Sequence, residues 1–267
     1  MALWGQPRAT CQPSPVRLAT VNLLHGRSLS DGQIVPERLA EAARLLDADV
    51  VGLQEVDRGQ PRSGGADQTA AFADAMGAAN WRFAPALWGT PGFEWTTAGD
   101  EDRAEPAYGI GLVSRLPVQR WVTVRLAAAP VRSPVLIPGT RRPIWLADEP
   151  RIGLAAVIEG PHGPLTVATT HLSFVPGWNL RQLRQLLRAL SDLPHPVVLL
   201  GDLNVPGRSH RVVSHGWDVL ARLPTYPAMK PRVQLDHALA LGPVKVQHAR
   251  TLETPISDHT ALIIDLA

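Results

Sequence analysis

An α/β fold is what this sequence predicts, and three observations predict it. Residues 16–55 read as strand, helix, strand, the unit from which such folds are built. Short apolar runs then recur as far as the C-terminus, interrupted by two further helical stretches. Polar residues gather where the apolar runs end, as they do at strand edges that face a common crevice in open α/β sheets.

Taken in order, VRLATVN (16–22) is a buried strand with a polar tip. Pro36 to Leu46 is a helix: proline suits its first turn, Glu37 complements its N-terminus, and Leu39, Ala42, Ala43 and Leu46 form an apolar stripe. Asp47 to Glu55 is a short apolar strand. A second helix covers Gln68 to Met76 and stops at Gly77. Residues 80–105, with Trp81, Trp88, Trp95 and several Gly and Pro, read as loop with one strand at most. Tyr108 to Ser114 is a strand halted by Pro117, and 127–150 are Pro-rich and irregular. Ile152–Glu159 and Leu165–Thr170 pair across EGPHGP. Asn179 to Leu190 is the clearest helix, with Leu180, Leu183, Leu187 and Leu190 on one face. Val197–Gly201, Leu235–Ala240 and Leu262–Leu266 are the remaining strands. Without repeat, low-complexity tract or linker, residues 16–267 form one expected domain behind an irregular leader, 1–15.

Composition narrows the classes of function. The 267 residues are 45% hydrophobic and 19% charged, which suits a globular core. No apolar run approaches the roughly 20 residues needed to cross a bilayer, so no stable membrane insertion is expected. The first residues, MALWGQPRATCQPSPVR, lack the basic-then-apolar layout of a secretory signal, which leaves a cytoplasmic location as the default expectation. The only cysteine, Cys11, excludes an internal disulfide and a cysteine-based zinc site. Net charge is +2, from 26 basic and 24 acidic residues, so the basic pI of about 9.1 reflects a very small excess. Arg132, Arg141 and Arg142 are scattered and no basic run exists, where a binder of many nucleic-acid phosphates shows a patch or stripe.

The polar strand ends carry the chemistry. Asn22 follows RLATV, Glu55 follows VVGLQ, His171 follows VATT, and Asp202 and Asn204 follow VVLLG. Asp236 and His237 stand beside Leu235 and Ala238, and Ser257, Asp258 and His259 precede ALIIDL. One such residue is usually a turn or a cap; carboxylates and imidazoles recurring together are not explained that way. Five of these pieces, TVNLLHG, LQEVD, THLS, GDLN and SDH, stand in an order that resembles the endonuclease/exonuclease/phosphatase superfamily, whose members include deoxyribonuclease I-like, metal-dependent phosphoesterases. YGIGLVSRLP and the LDH at 235–237 are similar too, and the resemblance runs from about Arg17 to Leu266.

That resemblance implies a four-layered α/β sandwich, two packed mixed sheets flanked by helices. It also implies a metal-dependent hydrolase of phosphate esters, with Mg2+ (or Mn2+) as cofactor. Magnesium prefers oxygen ligands, few of them charged; Glu55 supplies a carboxylate, Asn22 a neutral carbonyl, and Asp258 ligates directly or through water. His259 is general base or donor to the phosphate, oriented by Asp236. Asp202 positions or deprotonates the attacking water, and Asn204 bonds the transition-state phosphoryl oxygens. Which of Asp202 and His259 is the base stays open. His171 resembles a second histidine that donates to a non-bridging oxygen or the leaving group, and Arg151 an arginine that contacts phosphate. Tyr108 departs from the abasic-site endonuclease pattern by one place and is left out of the catalytic set.

Asp57, Arg62, Ser63, Asp67 and Gln68 either shape the pocket or cap the helix that starts near Gln68. His195, His210, His215, His237 and His248 lack motif support and read as structural or surface residues. For the partner, a small phosphate ester is favoured over nucleic acid. The 88–105 insert carries Glu94, Asp100, Glu101, Asp102 and Glu105 against one arginine, which disfavours a duplex lying across it.

Overall fold

The computed structural model describes residues 15–101, 103–135 and 144–267; Cys11 with most of the leader, Asp102, Arg141 and Arg142 lie outside the described residues. In chain order the elements are β1 (Val16–Asn22), α1 (Pro36–Leu46), β2 (Val50–Arg58), α2 (Gln68–Met76), β3 (Asn80–Gly89), β4 (Trp95–Thr97), β5 (Ala107–Ser114) and β6 (Val118–Leu126). They continue with β7 (Arg132–Val135), β8 (Ile144–Ala147), β9 (Arg151–Gly160), β10 (Gly163–His171), α3 (Trp178–Ser191) and β11 (Val197–Asp202). The last four are β12 (Asp218–Val219), β13 (Asp236–Leu241), β14 (Val246–Leu252) and β15 (Ala261–Leu266).

These strands form a seven-stranded sheet, ordered β14-β15-β1-β2-β5-β3-β4, and a six-stranded sheet, ordered β12-β13-β11-β10-β9-β6. Alternation along each strand decides what each face meets. On β2, Val51 and Leu53 face α1 and α2, where they pack with Leu39, Ala42, Leu46 and Phe72. Val50 faces the other way, into a core shared with Leu154, Val167, Val198 and Leu200 of the second sheet. The outer face of that sheet packs Val197 and Leu199 against Leu183, Leu186, Leu187 and Leu190 of α3. The result is a four-layered sandwich, helices–sheet–sheet–helix.

The helices end where their sequences let them. Asp67 Oδ1 accepts from the Thr69 and Ala70 amides at 3.0 Å and starts α2, and Gly77, at φ 65°, turns its end into the left-handed region. α1 stops at Asp47, also left-handed. The three predicted helices match the observed spans to within one residue.

Several strands escaped the reading, for local reasons. β3 contains Pro85, which cannot donate to the ladder; a register shift sits there against β5. β6 and β14 are edge strands with many half-exposed residues, so their apolar alternation is faint. Part of the stretch read as irregular, 127–150, is the β7–β8 hairpin, which pairs only with itself. β2 runs on to Arg58, past the expected end at Glu55, because a bulge there absorbs an extra residue.

Two parallel pairings, β1 with β2 and β10 with β11, align the strand ends that matter. Asn22 lies opposite Gln54, His171 opposite Asp202, and Asp202 opposite Asp236. Beneath this edge the sheets approach closely: a Cβ on Gly52 would collide with the Thr169 side chain. Gln54 crosses the gap, donating to Thr169 Oγ1 at 2.8 Å and to Thr20 Oγ1 at 3.0 Å.

Candidate active site

Each sheet supplies half of one cluster. From the seven-stranded sheet come Asn22 at the end of β1, Glu55 on the β2 bulge, and Asp258 and His259 from the turn before β15. The six-stranded sheet contributes Arg151 at the start of β9, His171 at the end of β10, Asp202 at the end of β11, Asn204 just beyond it, and Asp236 at the start of β13.

Backbone strain aims three of these turns. Glu55, Asn204 and Ser257 take φ of 53°, 49° and 80°, values that non-glycine residues seldom adopt. At the bulge Gln54 and Glu55 together face one residue of β5, so Gln54 keeps its place between the sheets while Glu55 turns into the cleft. Before Asp202, Gly201 at φ 138° is required, since a side chain there would strike the Thr170 carbonyl.

Asp202 is the hub. Its Oδ1 accepts from the Asn204 amide at 2.9 Å, and its Oδ2 accepts from Asn22 Nδ2 at 3.2 Å. That same oxygen lies 3.6 Å from His171 Nε2 and 3.9 Å from His259 Nε2. On its far side His259 holds Asp236 through Nδ1–Oδ2 at 2.8 Å, with Asp236 fully buried. Thr225 Oγ1 braces Asp236 by accepting from its amide at 3.2 Å. Asn22 donates to Glu55 Oε1 at 2.9 Å while its own Oδ1 accepts from the Leu24 amide. The Asn22 carbonyl thus gives one of its two lone pairs to a backbone donor, and the amide nitrogen faces the two carboxylates.

His171 lies between two donors: Arg151 Nη1 is 3.3 Å from its Nδ1 and Asn204 Nδ2 is 3.2 Å from its Nε2, and a neutral imidazole accepts at only one of these nitrogens. Burial, reinforced by the charge of Arg151, holds this imidazole neutral, well below its ordinary pKa. Beside Nε2, at 3.2 Å, is Asn204 Nδ2, which also donates to the Leu172 carbonyl at 2.9 Å. With Arg151 satisfied at Nδ1, Nε2–H and Asn204 Nδ2 would face each other as donors, an opposition that an anionic oxygen between them would relieve.

The remaining charges follow from burial and crowding. Burial, with Asp258 and Asp202 nearby, pushes Glu55 up to about 7 despite the Asn22 hydrogen bond. Burial likewise raises Asp202 to about 6, with Asp236 adding to the rise and His259 opposing it. Burial alone would lower His259, but Asp236, Asp202 and Asp258 outweigh it and push it up to about 10. Asp202, Asp236 and His259 bring ligand atoms within 4.8 Å of one another and could hold a metal ion, at the cost of the His259–Asp236 hydrogen bond. Glu55 and Asp258 offer the other carboxylates of the cleft, and a cation bound there would offset the burial and the neighbouring negative charge that lift Glu55.

The residues matched by motif are thus brought together, while others fall outside. Asp67 caps α2, Arg62 forks onto the buried Asp57 at 2.7 and 2.8 Å, and Gln68 accepts from the Asp57 amide at 2.9 Å; that loop braces β2. His210 and His237 are buried edge to face 4.9 Å apart, and His195, His215 and His248 are exposed. Tyr108, buried on β5, lines the cleft with the Arg62 guanidinium over its ring. Asn179 went unnoticed: buried at the start of α3, it donates to the Asn204 carbonyl at 2.7 Å. A polar residue opening a leucine-rich helix was the only signal. The cleft above the cluster encloses about 760 Å3.

Comparison with known proteins agrees with this fold. The family model described as Endonuclease/Exonuclease/phosphatase family matches residues 19–259. The chain belongs to this family. Members of the endonuclease/exonuclease/phosphatase family are mostly phosphoester hydrolases, phosphatases and nucleases among them. Among solved structures of similar fold is an endonuclease/exonuclease/phosphatase from Beutenbergia cavernae DSM 12333, 21% identical, TM-score 0.67, covering 95% of this chain and 71% of that one. Another is the mannosyl-6-phosphatase Bt3783 of Bacteroides thetaiotaomicron, 15% identical, TM-score 0.64, covering 94% and 99%. The human Nocturnin catalytic domain, solved with bound sulfate, is 18% identical, TM-score 0.65, covering 97% and 95%. No curated protein matches the sequence. Among the described residues no helix is long and apolar enough to cross a membrane.

Proposed function

We propose that this protein is a metal-dependent hydrolase of phosphate esters, acting by in-line attack of water, with Mg2+ or Mn2+ as its cation. The observation that carries the reading is the Asp202 hub, which sets a carboxylate, a carboxylate-held imidazole and the His171–Asn204 donor pair around one point of the cleft floor. Glu55 and Asp258 are the residues that would hold the cation, with Asn22 keeping Glu55 in place through its amide nitrogen. When bound, the cation supplies charge neutralisation at the phosphate.

The chain's own groups do the rest. Asp202 orients the water and takes its proton; its two oxygens are fixed by Asn204 and Asn22. Asp236 fixes the tautomer of His259 and favours its charged form, so Nε2 donates to the phosphoryl group. His171 Nε2 and Asn204 Nδ2 donate to a non-bridging oxygen, with Arg151 holding the His171 ring from behind. A small ester in preference to a nucleic acid is supported by the net charge of +2 and the lack of a basic run.

The test is a panel of plasmid DNA, RNA, sphingomyelin, inositol phosphates and a nitrophenyl diester, each with magnesium and after dialysis into EDTA. Hydrolysis of at least one phosphate ester, abolished by chelation and restored by Mg2+ or Mn2+, is the expected result. Full activity in EDTA would overturn the metal dependence, and preference for plasmid DNA or RNA would overturn the small-ester reading.

A further inference from the structure

The catalytic groups occupy only the floor of the cleft. Its walls include Phe93, Trp95, Trp145, Leu146, Phe174 and Tyr226, and none of these belongs to the cores of the sandwich. Phe93, on the turn between β3 and β4, is 84% exposed, and Trp145 on β8 is 62% exposed. Among the described residues β8 pairs only with β7, so its apolar residues serve neither main sheet. Large apolar side chains left in water around one concavity mark a binding surface.

Their position selects the occupant. The same cavity is continuous from Asp202 and His259 on the floor to Phe93 and Trp145 at the mouth. A ligand whose phosphoryl group reaches the His171–Asn204 pair must lay the rest of itself along this wall. Phe93, Leu146 and Phe174 carry no hydrogen-bonding side-chain atoms. A nucleobase face would stack on the rings, but its edge and the sugar hydroxyls set against them would lose water and gain no partner. An alkyl or aryl group gains by leaving water. Of the polar lining away from the cluster, Glu149 is 3.8 Å from Arg151 and is engaged there, while Arg132 on β7 is the charged side chain at the exposed rim.

We propose that this wall binds the apolar body of the substrate: the preferred phosphate ester carries an alkyl or aryl alcohol, not a sugar or a nucleotide. This deepens the phosphoester reading and rests on it for the placement of the phosphoryl group. The apolar body belongs either to a single soluble ester or to a lipid presented at a surface.

Binding tests it without turnover. With Mg2+ present, the Kd of n-alkylphosphonic acids from methyl to octyl, measured by calorimetry below their micellar concentrations, falls about twofold per methylene for partial burial of each group. The double variant Phe93→Ser/Trp145→Ser flattens that slope, and Val212→Ser, an exposed apolar residue that does not line the cleft, keeps it. A chain-length-independent Kd in the native protein, an unchanged slope in the double variant, or tighter binding of thymidine phosphate than of octylphosphonate would overturn the proposal. Sedimentation with phosphatidylcholine vesicles, lost in the double variant, assigns the apolar body to a lipid; the slope without sedimentation assigns it to a soluble ester. If the slope holds but the matching alkyl nitrophenyl phosphates are not hydrolysed, the hydrolytic reading fails while the wall's assignment stands.

Discussion

Asp236 and His259 are 2.8 Å apart and buried, and they illustrate how little a residue means alone. The carboxylate fixes which imidazole nitrogen faces Asp202, so Asp236→Asn presents the wrong partner and should lower kcat by on the order of 10²–10⁴-fold. Because the two act as a unit, the double variant with His259→Ala should cost little more than His259→Ala alone. Steady-state rates of the two singles and the double decide it; costs that multiply would show independent roles. These residues were legible in the sequence because each stands at the end of an apolar strand, within a motif whose order resembles a family. Asn22 shows the limit of that route. Its presence at the site was legible, but which end of its amide faces the carboxylates depends on the Leu24 amide, a backbone donor that no motif records. The aromatic wall was illegible for a different reason: Phe93 and Trp145 lie in stretches whose sequence reads as irregular, and they gain meaning only from facing one cavity.

Elements were legible in proportion to how much of them is buried on one face. α1 and α2 were read to the residue and α3 to within one, since the leucine and alanine stripes that pack on the sheets are also what periodicity detects. Edge strands β6 and β14, and β3 with its proline, lack that stripe. Helix α3 also has a task that its pattern hides. Asn179 Nδ2 holds the Asn204 carbonyl at 2.7 Å, while its Oδ1 accepts from the Gly177 and Leu180 amides. Asn179→Asp keeps the acceptor and removes the donor. The start of the helix should therefore survive, and the strained Asn204 turn should lose its anchor. We expect kcat to fall about tenfold or more, as small misplacements of a catalytic group do, with KM and melting temperature little changed. Unchanged kcat would show that the turn holds itself.

At the scale of the whole molecule, the cluster makes stability depend on pH. Glu55, Asp202 and His259 are all raised, to about 7, 6 and 10. A group raised in the folded state favours folding fully below its unfolded pKa, and that contribution is lost as pH rises through the folded value. In EDTA, then, the contribution of Glu55 to the melting temperature should decline as pH climbs from about 4.5 through 7, against the opposite contribution of His25 and His210, both lowered to about 4, and of His171. Glu55→Gln, which still accepts from Asn22, should flatten that decline; an identical slope in the variant would show that Glu55 does not carry it. Scanning calorimetry across this range is the measurement.

The seam between the sheets has another consequence. The strands of the six-stranded sheet, with Arg151, His171, Asp202, Asn204 and Asp236, all fall between Val118 and Leu241, a span whose described residues include no strand of the seven-stranded sheet. The other half of the cluster flanks that stretch in sequence. Two crossovers in a gene would thus exchange one entire half of the chemistry between family members, as a cassette. What such a recombinant has to inherit unbroken is the fit of Gly52 against Thr169 and the reach of Gln54 across it.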